Sequence, residues 1–235
     1  MTIEVLYPEI ANLYGELSNV DFLKQSGATV INTKLRDKPA FTGGGIDMVY
    51  MGAMTERSQE LAIKALRPYT DDIRKAIENN IIFLVTGNAL EIFGGTIENE
   101  DGTVIDCLGI YDTVAKRQMM KRYNSIFLGK FEDMDIVGYK SQFSHSYGGD
   151  ELDGIFEAVR GDGLCPGKAY EGIRINNFFG TYLIGPLLIV NPPFAKYLMN
   201  LAGDRNVSLA FEEEAMAVYE KRVKEFSDPK TRVKF

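Results

Sequence analysis

The chain of 235 residues contains no tryptophan, one histidine (His145) and two cysteines (Cys107 and Cys165). A histidine-rich metal site is therefore excluded, and two thiols cannot supply a four-thiolate zinc site. Any nucleophile–histidine pair must use His145 or dispense with histidine. The two cysteines lie far apart and no signal peptide precedes them, which reads as reduced thiols in a cytoplasmic protein. The opening Met1-Thr2-Ile3-Glu4 is acidic at once and lacks a basic region followed by an apolar run. Tyr182 to Val190, the longest apolar stretch in the C-terminal half, is interrupted by Gly185-Pro186 and is too short to span a bilayer. Acidic residues outnumber basic ones, 33 Asp and Glu to 26 Lys and Arg. A net charge of −7 and an isoelectric point near 4.9 argue against nucleic acid or an anionic membrane as the main partner. Nothing in the composition calls for a metal or another cofactor, and Asp101-Gly102 reads as a turn.

What is present is a β/α rhythm. Ile3–Tyr7, Ala28–Ile31, Asp47–Met51 and Ile81–Val85 are apolar runs of buried-strand length, with amphipathic segments between them. Asn19–Gln25 and Ser58–Asn79 read as helical, the latter broken at Pro68. From about residue 95 shorter strand-like pieces follow: Thr103–Ile105, Ser125–Phe131, Gly154–Arg160 and Tyr182–Val190. Helices are expected over Pro193–Leu201 and Ser208–Phe226, with the Glu212–Glu214 run at the start of the second and a frayed tail over 230–235. No repeat or long linker appears. The expectation is one α/β domain over residues 1–235, a mostly parallel, doubly wound sheet with helices on both faces.

In such sheets function sits beyond the carboxyl ends of the strands. Leu84-Val85-Thr86-Gly87-Asn88-Ala89-Leu90-Glu91-Ile92-Phe93-Gly94 is a strand, a tight turn and a helix start, the layout that presents a nucleophile in elbow-type enzymes and also an ordinary βα turn. A second segment is more specific. Gly180-Thr181-Tyr182-Leu183-Ile184-Gly185-Pro186-Leu187-Leu188, followed by Asn191-Pro192, resembles a signature of the class I, triad-type glutamine amidotransferases of the cobyric acid synthase type. Among these it is most similar to the glutaminase subunits of lipid II isoglutaminyl synthase, where the segment reads Gly-Thr-Tyr-Leu-His-Gly-Pro-Leu-Leu. Tyr7-Pro8, Asn12-Leu13-Tyr14-Gly15, the Gly52-Ala53-Met54 loop and Leu108-Gly109-Ile110 add weaker matches, so the resemblance extends from Tyr7 to Leu201.

The resemblance implies a flavodoxin-like fold and glutamine hydrolysis, in which an elbow Cys attacks the side-chain amide, a His activates it and backbone N–H groups hold the oxyanion. Aligned on Gly94 and on Glu91 for the usual Gln, the nucleophile position falls on Gly87 and the His position on Ile184, neither of which can do that chemistry. The expectation is therefore a pseudoenzyme related to peptidoglycan or cobyrinate amidation, acting as a partner-binding or ligand-binding subunit. The resemblance implies a Mur-ligase-like, ATP-dependent synthetase as partner and a small amide or amino acid as ligand. The pocket candidates are Gly52, Thr86, Gly87, Asn88, Arg122, Gln142 and Ile184, with Arg122 near where the family places an Arg that contacts glutamine's carboxylate. Gln142 falls where the family's Gly-Phe-Glu-x-His motif has its His, and Lys140 where it has its Glu. An active enzyme using Thr86, Cys107 or Cys165 as a non-family nucleophile is the alternative. Cys107 reads as a buried structural thiol in a strand, Cys165 as a flexible-loop thiol, His145 as a polar-loop surface residue, and Lys116-Arg117 with Lys121-Arg122 as a solvated basic face.

Overall fold

The computed structural model describes residues 1–204 and 207–235. Its centre is a six-stranded sheet of β1 (Thr2–Leu6), β2 (Thr29–Thr33), β3 (Met48–Met51), β4 (Ile82–Thr86), and, far later in the chain, β13 (Ile173–Ile175) and β14 (Phe178–Thr181). The spatial order is β13-β14-β4-β3-β1-β2, parallel from β2 to β14 and antiparallel only at the β13 edge. The five parallel strands have the 2-1-3-4-5 order of flavodoxin-like folds, which reverses between β1 and β3.

Strand residues alternate between two cores. Val49, Met51, Phe83, Val85 and Phe178 pack with Ala62, Ile63 and Leu66 of α2 (Glu56–Leu66) and Ile73, Ala76 and Ile77 of α3 (Thr70–Glu78). Ile3, Val5, Met48, Tyr50, Leu84 and Phe179 face Val20, Phe22 and Leu23 of α1 (Leu17–Gln25) and Phe194, Leu198 and Met199 of α5 (Pro192–Leu201). Two-sided burial is why these strands read as continuous apolar runs. A single turn of 3₁₀ helix at Arg67–Tyr69, carrying Pro68, separates α2 from α3 as the proline required. Thr55 caps α2, accepting from the Ser58 amide at 3.2 Å.

After α4 (Ala89–Phe93) the chain leaves the parallel sheet. It builds β5 (Thr96–Glu98), β6 (Val104–Asp106), β7 (Thr113–Arg117), β8 (Tyr123–Phe131), β9 (Met134–Gln142), β10 (Ser144–Gly148), β11 (Phe156–Arg160) and β12 (Tyr170–Glu171). These form two further four-stranded sheets, β10-β7-β5-β6 and β12-β11-β8-β9. The long β8–β9 hairpin presents Phe127, Phe131 and Ile136 to the α5 side of the main sheet, while α6 (Glu212–Ser227) covers its other face through Tyr219 and Phe226.

Several expectations are corrected. Tyr182–Val190 is not a strand: it is an irregular segment with a cis Gly185–Pro186 bond, and the strand is the preceding Phe178–Thr181. Residues 230–235 are not frayed, because Val233 accepts from the Ile126 amide at 3.0 Å, Lys234 bridges to Ser125, and its amine pairs with Asp162 at 2.8 Å. Cys165, read as a flexible-loop thiol, is buried. Arg117 is not on a solvated face: it is buried, donating to Gln59 at 2.6 Å and to Asn99 at 3.0 Å. His145 lies in strand β10, half-buried and edge-on to Tyr123, rather than in a surface loop.

Candidate functional site

The turn after β4 is an elbow. Gly87 has φ = 59°, a left-handed conformation that glycine adopts without cost, and α4 begins two residues later. A Cβ built on Gly87 would lie 2.5 Å from the Ala53 Cβ and 3.4 Å from Ile184 Cγ2. The structure thus places Gly87 and Ile184 against each other, and it puts the Ala53 methyl where an elbow side chain would start.

Beneath the elbow lies a buried carboxylate, Glu16, that no sequence motif marks. Glu16 accepts from the Tyr50 and Thr86 hydroxyls, each at 2.7 Å, and from the Gly185 amide at 2.9 Å. Asn19 braces the group from behind, donating to the Tyr50 hydroxyl at 2.9 Å and accepting from the Leu188 amide at 2.8 Å. Burial raises the Glu16 pKa, while the backbone and hydroxyl donors pull it partly back. A Cβ on Gly52 would lie 2.5 Å from the Glu16 Cβ, so glycine there lets this carboxylate slip under β3. Thr86 is fully buried, and its hydroxyl is held by Glu16 and Tyr50 rather than presented to a ligand.

A second carboxylate anchors the elbow helix. Glu91 accepts from Gln59 and from Tyr182, both at 2.9 Å, and from Ser144. Gln59 in turn accepts from Arg117, and burial raises the Glu91 pKa against these donors. A third network is the fully buried pair Lys140–Glu171. Lys140 also donates to the Asp162 and Gly163 carbonyls, at 2.9 and 2.6 Å, while Glu171 accepts from the Thr181 hydroxyl at 2.9 Å and the Tyr182 amide at 2.6 Å.

Above the elbow, at the carboxyl ends of β1, β3 and β4, is a cavity of about 170 Å³. Asn88, Arg122 and Gln142 all line it, together with Tyr14, Ala53 and Phe143. Gly52, Thr86, Gly87 and Ile184 are not among its lining residues; Ala53 separates it from Gly87. The Asn88 amide is spent on Met54, accepting from its N–H at 3.0 Å and donating to its C=O at 2.8 Å. Arg122 stacks on Phe143, guanidinium to ring centroid 4.6 Å, and forms no ion pair among the described residues. Cys107 and Cys165 line no part of this cavity. Burial pushes the Cys107 thiol up to about 12 and raises that of Cys165, so neither is poised as a thiolate.

The fold and this site define a flavodoxin-like α/β protein whose elbow and cavity sit at the carboxyl edge of a parallel sheet. Residues 2–191 match the CobB/CobQ-like glutamine amidotransferase domain, and the chain belongs to that family. It is 25% identical over 209 residues to the lipid II isoglutaminyl synthase (glutamine-hydrolyzing) subunit GatD of Staphylococcus aureus (strain N315), covering 87% of this chain and 85% of the relative. It is 24% identical over 247 residues to the subunit of the same name in Streptococcus pneumoniae (strain ATCC BAA-255 / R6), covering 100% and 94%. A glutamine amidotransferase from Thermotoga maritima superposes with a TM-score of 0.51 at 8% identity, over 95% of this chain and 92% of that one, a likeness of fold. Among the described residues no helix is long and apolar enough to cross a membrane.

Proposed function

We propose that this chain is an amidotransferase-fold subunit that does not hydrolyse glutamine, acting as one domain beside a Mur-ligase-like, ATP-dependent synthetase in the cytoplasm, in peptidoglycan-precursor amidation. The observation that carries the reading is the elbow itself. Gly87 offers no nucleophile, Ile184 beside it offers no base, and the Ala53 methyl occupies the space an elbow side chain would need. A nucleophile–base pair acts only when both groups reach the same amide carbon, and neither is present here. The pathway and partner rest on similarity to subunits of lipid II isoglutaminyl synthase.

Hydrolysis through another nucleophile has little physical support. Thr86 is sealed under the elbow and both thiols are buried with raised pKa values. The test is ammonia release from glutamine by the purified chain, alone and with its co-expressed synthetase. The expected result is no release above buffer. Release abolished by Thr86→Val, Cys107→Ala or Cys165→Ala would overturn the reading. Affinity capture from the native host is expected to recover a ligase-like protein, and failure to do so would sink the partner assignment.

A further inference from the structure

Strand β2 ends the main sheet with one side unpaired. The Thr29 amide donates to the Met1 carbonyl at 2.9 Å, and the Thr33 carbonyl accepts from the Tyr7 amide at 2.8 Å. Successive residues of a strand turn their N–H and C=O groups to opposite edges. Thr29, Ile31 and Thr33 therefore face β1, while Val30 and Asn32 face outward. Among the described residues no strand pairs with that outer edge. Edge strands are ordinarily shielded by a lysine, a proline or a bulge, and Thr29-Val30-Ile31-Asn32-Thr33 carries none of these. It is instead uncharged and mostly β-branched, with Ile31 40% exposed.

The backbone on either side of β2 bounds the residues that can still pair. Before it, the Ala28 amide is spent on the Leu23 carbonyl at 3.0 Å. After it, the Lys34 amide donates to Asp37 Oδ2 at 3.3 Å and the Lys34 carbonyl accepts from the Asp37 amide at 2.9 Å. The free groups are those of Val30 and Asn32, a donor and an acceptor on each, placed symmetrically about Ile31. That arrangement is its own complement. An antiparallel copy centred on Ile31 sets Val30 against Asn32 of the second copy, and Asn32 against its Val30, so every outward group finds a partner. It also sets Ile31 against Ile31 and Thr29 against Thr33, cross-strand pairs that favour a ladder. A parallel neighbour would instead bring together the basic flanks Lys34, Arg36 and Lys38 of the two chains. The antiparallel two-fold holds the two Lys34 residues about 20 Å apart, beyond the screening length of about 10 Å at 0.1 M salt. We infer that two copies of this chain join β2 to β2, antiparallel about Ile31, into one continuous sheet. The joint covers none of the residues that line the cavity above the elbow, so it is independent of the proposed function.

Sedimentation velocity of the full chain over about 1–300 µM tests this, because so small a joint makes a reversible dimer. The expected result is a weight-average mass that climbs from one chain toward two. Val30→Pro deletes an outward N–H and leaves the ladder to β1 intact, and Ile31→Lys sets two like charges face to face. Each is expected to weaken the dimer at least about 10-fold with an unchanged circular dichroism spectrum. Ile31→Cys should form an interchain disulfide with oxidised glutathione, since residues opposed in a non-hydrogen-bonded pair have Cα atoms about 4.5 Å apart, within disulfide reach. Thr29→Cys should not, because its copy lies about 13 Å away across the two-fold. Cys107 and Cys165 are buried and do not compete. Monomer mass at every concentration would overturn the inference and leave the edge to a foreign strand. A dimer that survives both Val30→Pro and Ile31→Lys, or equal cross-linking through positions 29 and 31, would overturn it as well.

Discussion

At the scale of single residues, Ala53 and Glu16 govern the elbow. In a variant carrying Gly87→Cys and Ile184→His, the new side chain at position 87 would meet the Ala53 methyl, since a Cβ there lies 2.5 Å from it. That double variant is expected to lose ~1–3 kcal/mol of stability by overpacking, and adding Ala53→Gly to recover most of it; chemical denaturation of the three proteins measures both. Glu16→Ala removes the only acceptor described for the Gly185 amide and should cost ~2–4 kcal/mol. Glu16→Gln keeps an acceptor for that amide and leaves two hydroxyls free to reorient, so a loss under ~1.5 kcal/mol is expected. The same carboxylate sets a pH dependence. Its folded pKa is raised, so its contribution to stability is complete below the usual carboxylate range and drains away as pH rises through the folded value. Urea midpoints across pH should accordingly fall less steeply on the alkaline side for Glu16→Gln than for the parent. Glu91, whose pKa is also raised by burial, should act in the same direction. Gly87 and Ile184 were singled out by the resemblance to the family's motifs, on which the chain could be aligned. Glu16 was not, although it directly follows the Asn12–Gly15 motif, because nothing local says that this loop folds under β3 and β4.

At the scale of elements, buried polar clamps join the parallel sheet to the antiparallel ones. Lys140 on β9 meets Glu171 on β12, and Glu171 also holds the end of β14 through Thr181 and Tyr182. Lys140→Met strands a buried carboxylate and is expected to cost ~3–5 kcal/mol. Lys140→Met with Glu171→Gln should recover a large part, because the glutamine oxygen still accepts from Thr181 and Tyr182; a double-mutant cycle in urea reads the coupling. Asn191 is a comparable clamp, accepting from the Val137 amide at 2.8 Å and donating to the Val137 and Leu187 carbonyls. The five parallel strands were readable because burial on both faces makes each an apolar run. Strands β9 and β10 were hidden because they carry Lys140, Ser144 and His145, whose partners are distant in sequence. The segment from Tyr182 was misread for the opposite reason: it is apolar because it is buried, yet its backbone bonds to Tyr139 and Pro186 rather than to a strand ladder.

At the scale of the whole molecule, the order of the parallel strands brings the carboxyl ends of β1, β3 and β4 together around the cavity, as the β/α rhythm led one to expect. Which side chains fill that place depends on the inserted sheets, since Gln142 ends β9 and Arg122 lies in the connection just before β8. The sequence suggested a frayed end over 230–235, but this segment runs beside the first residues of β8. Asn124 and Ile126 spend backbone groups on Phe235 and Val233 there, whereas β11 pairs β8 only from Leu128 to Lys130. Without these residues, the start of β8 would be a bare strand edge able to recruit a neighbouring chain. A chain ending at Pro229 is expected to form larger species than the parent by light scattering. On that expectation, the last few residues guard the start of β8 against self-association.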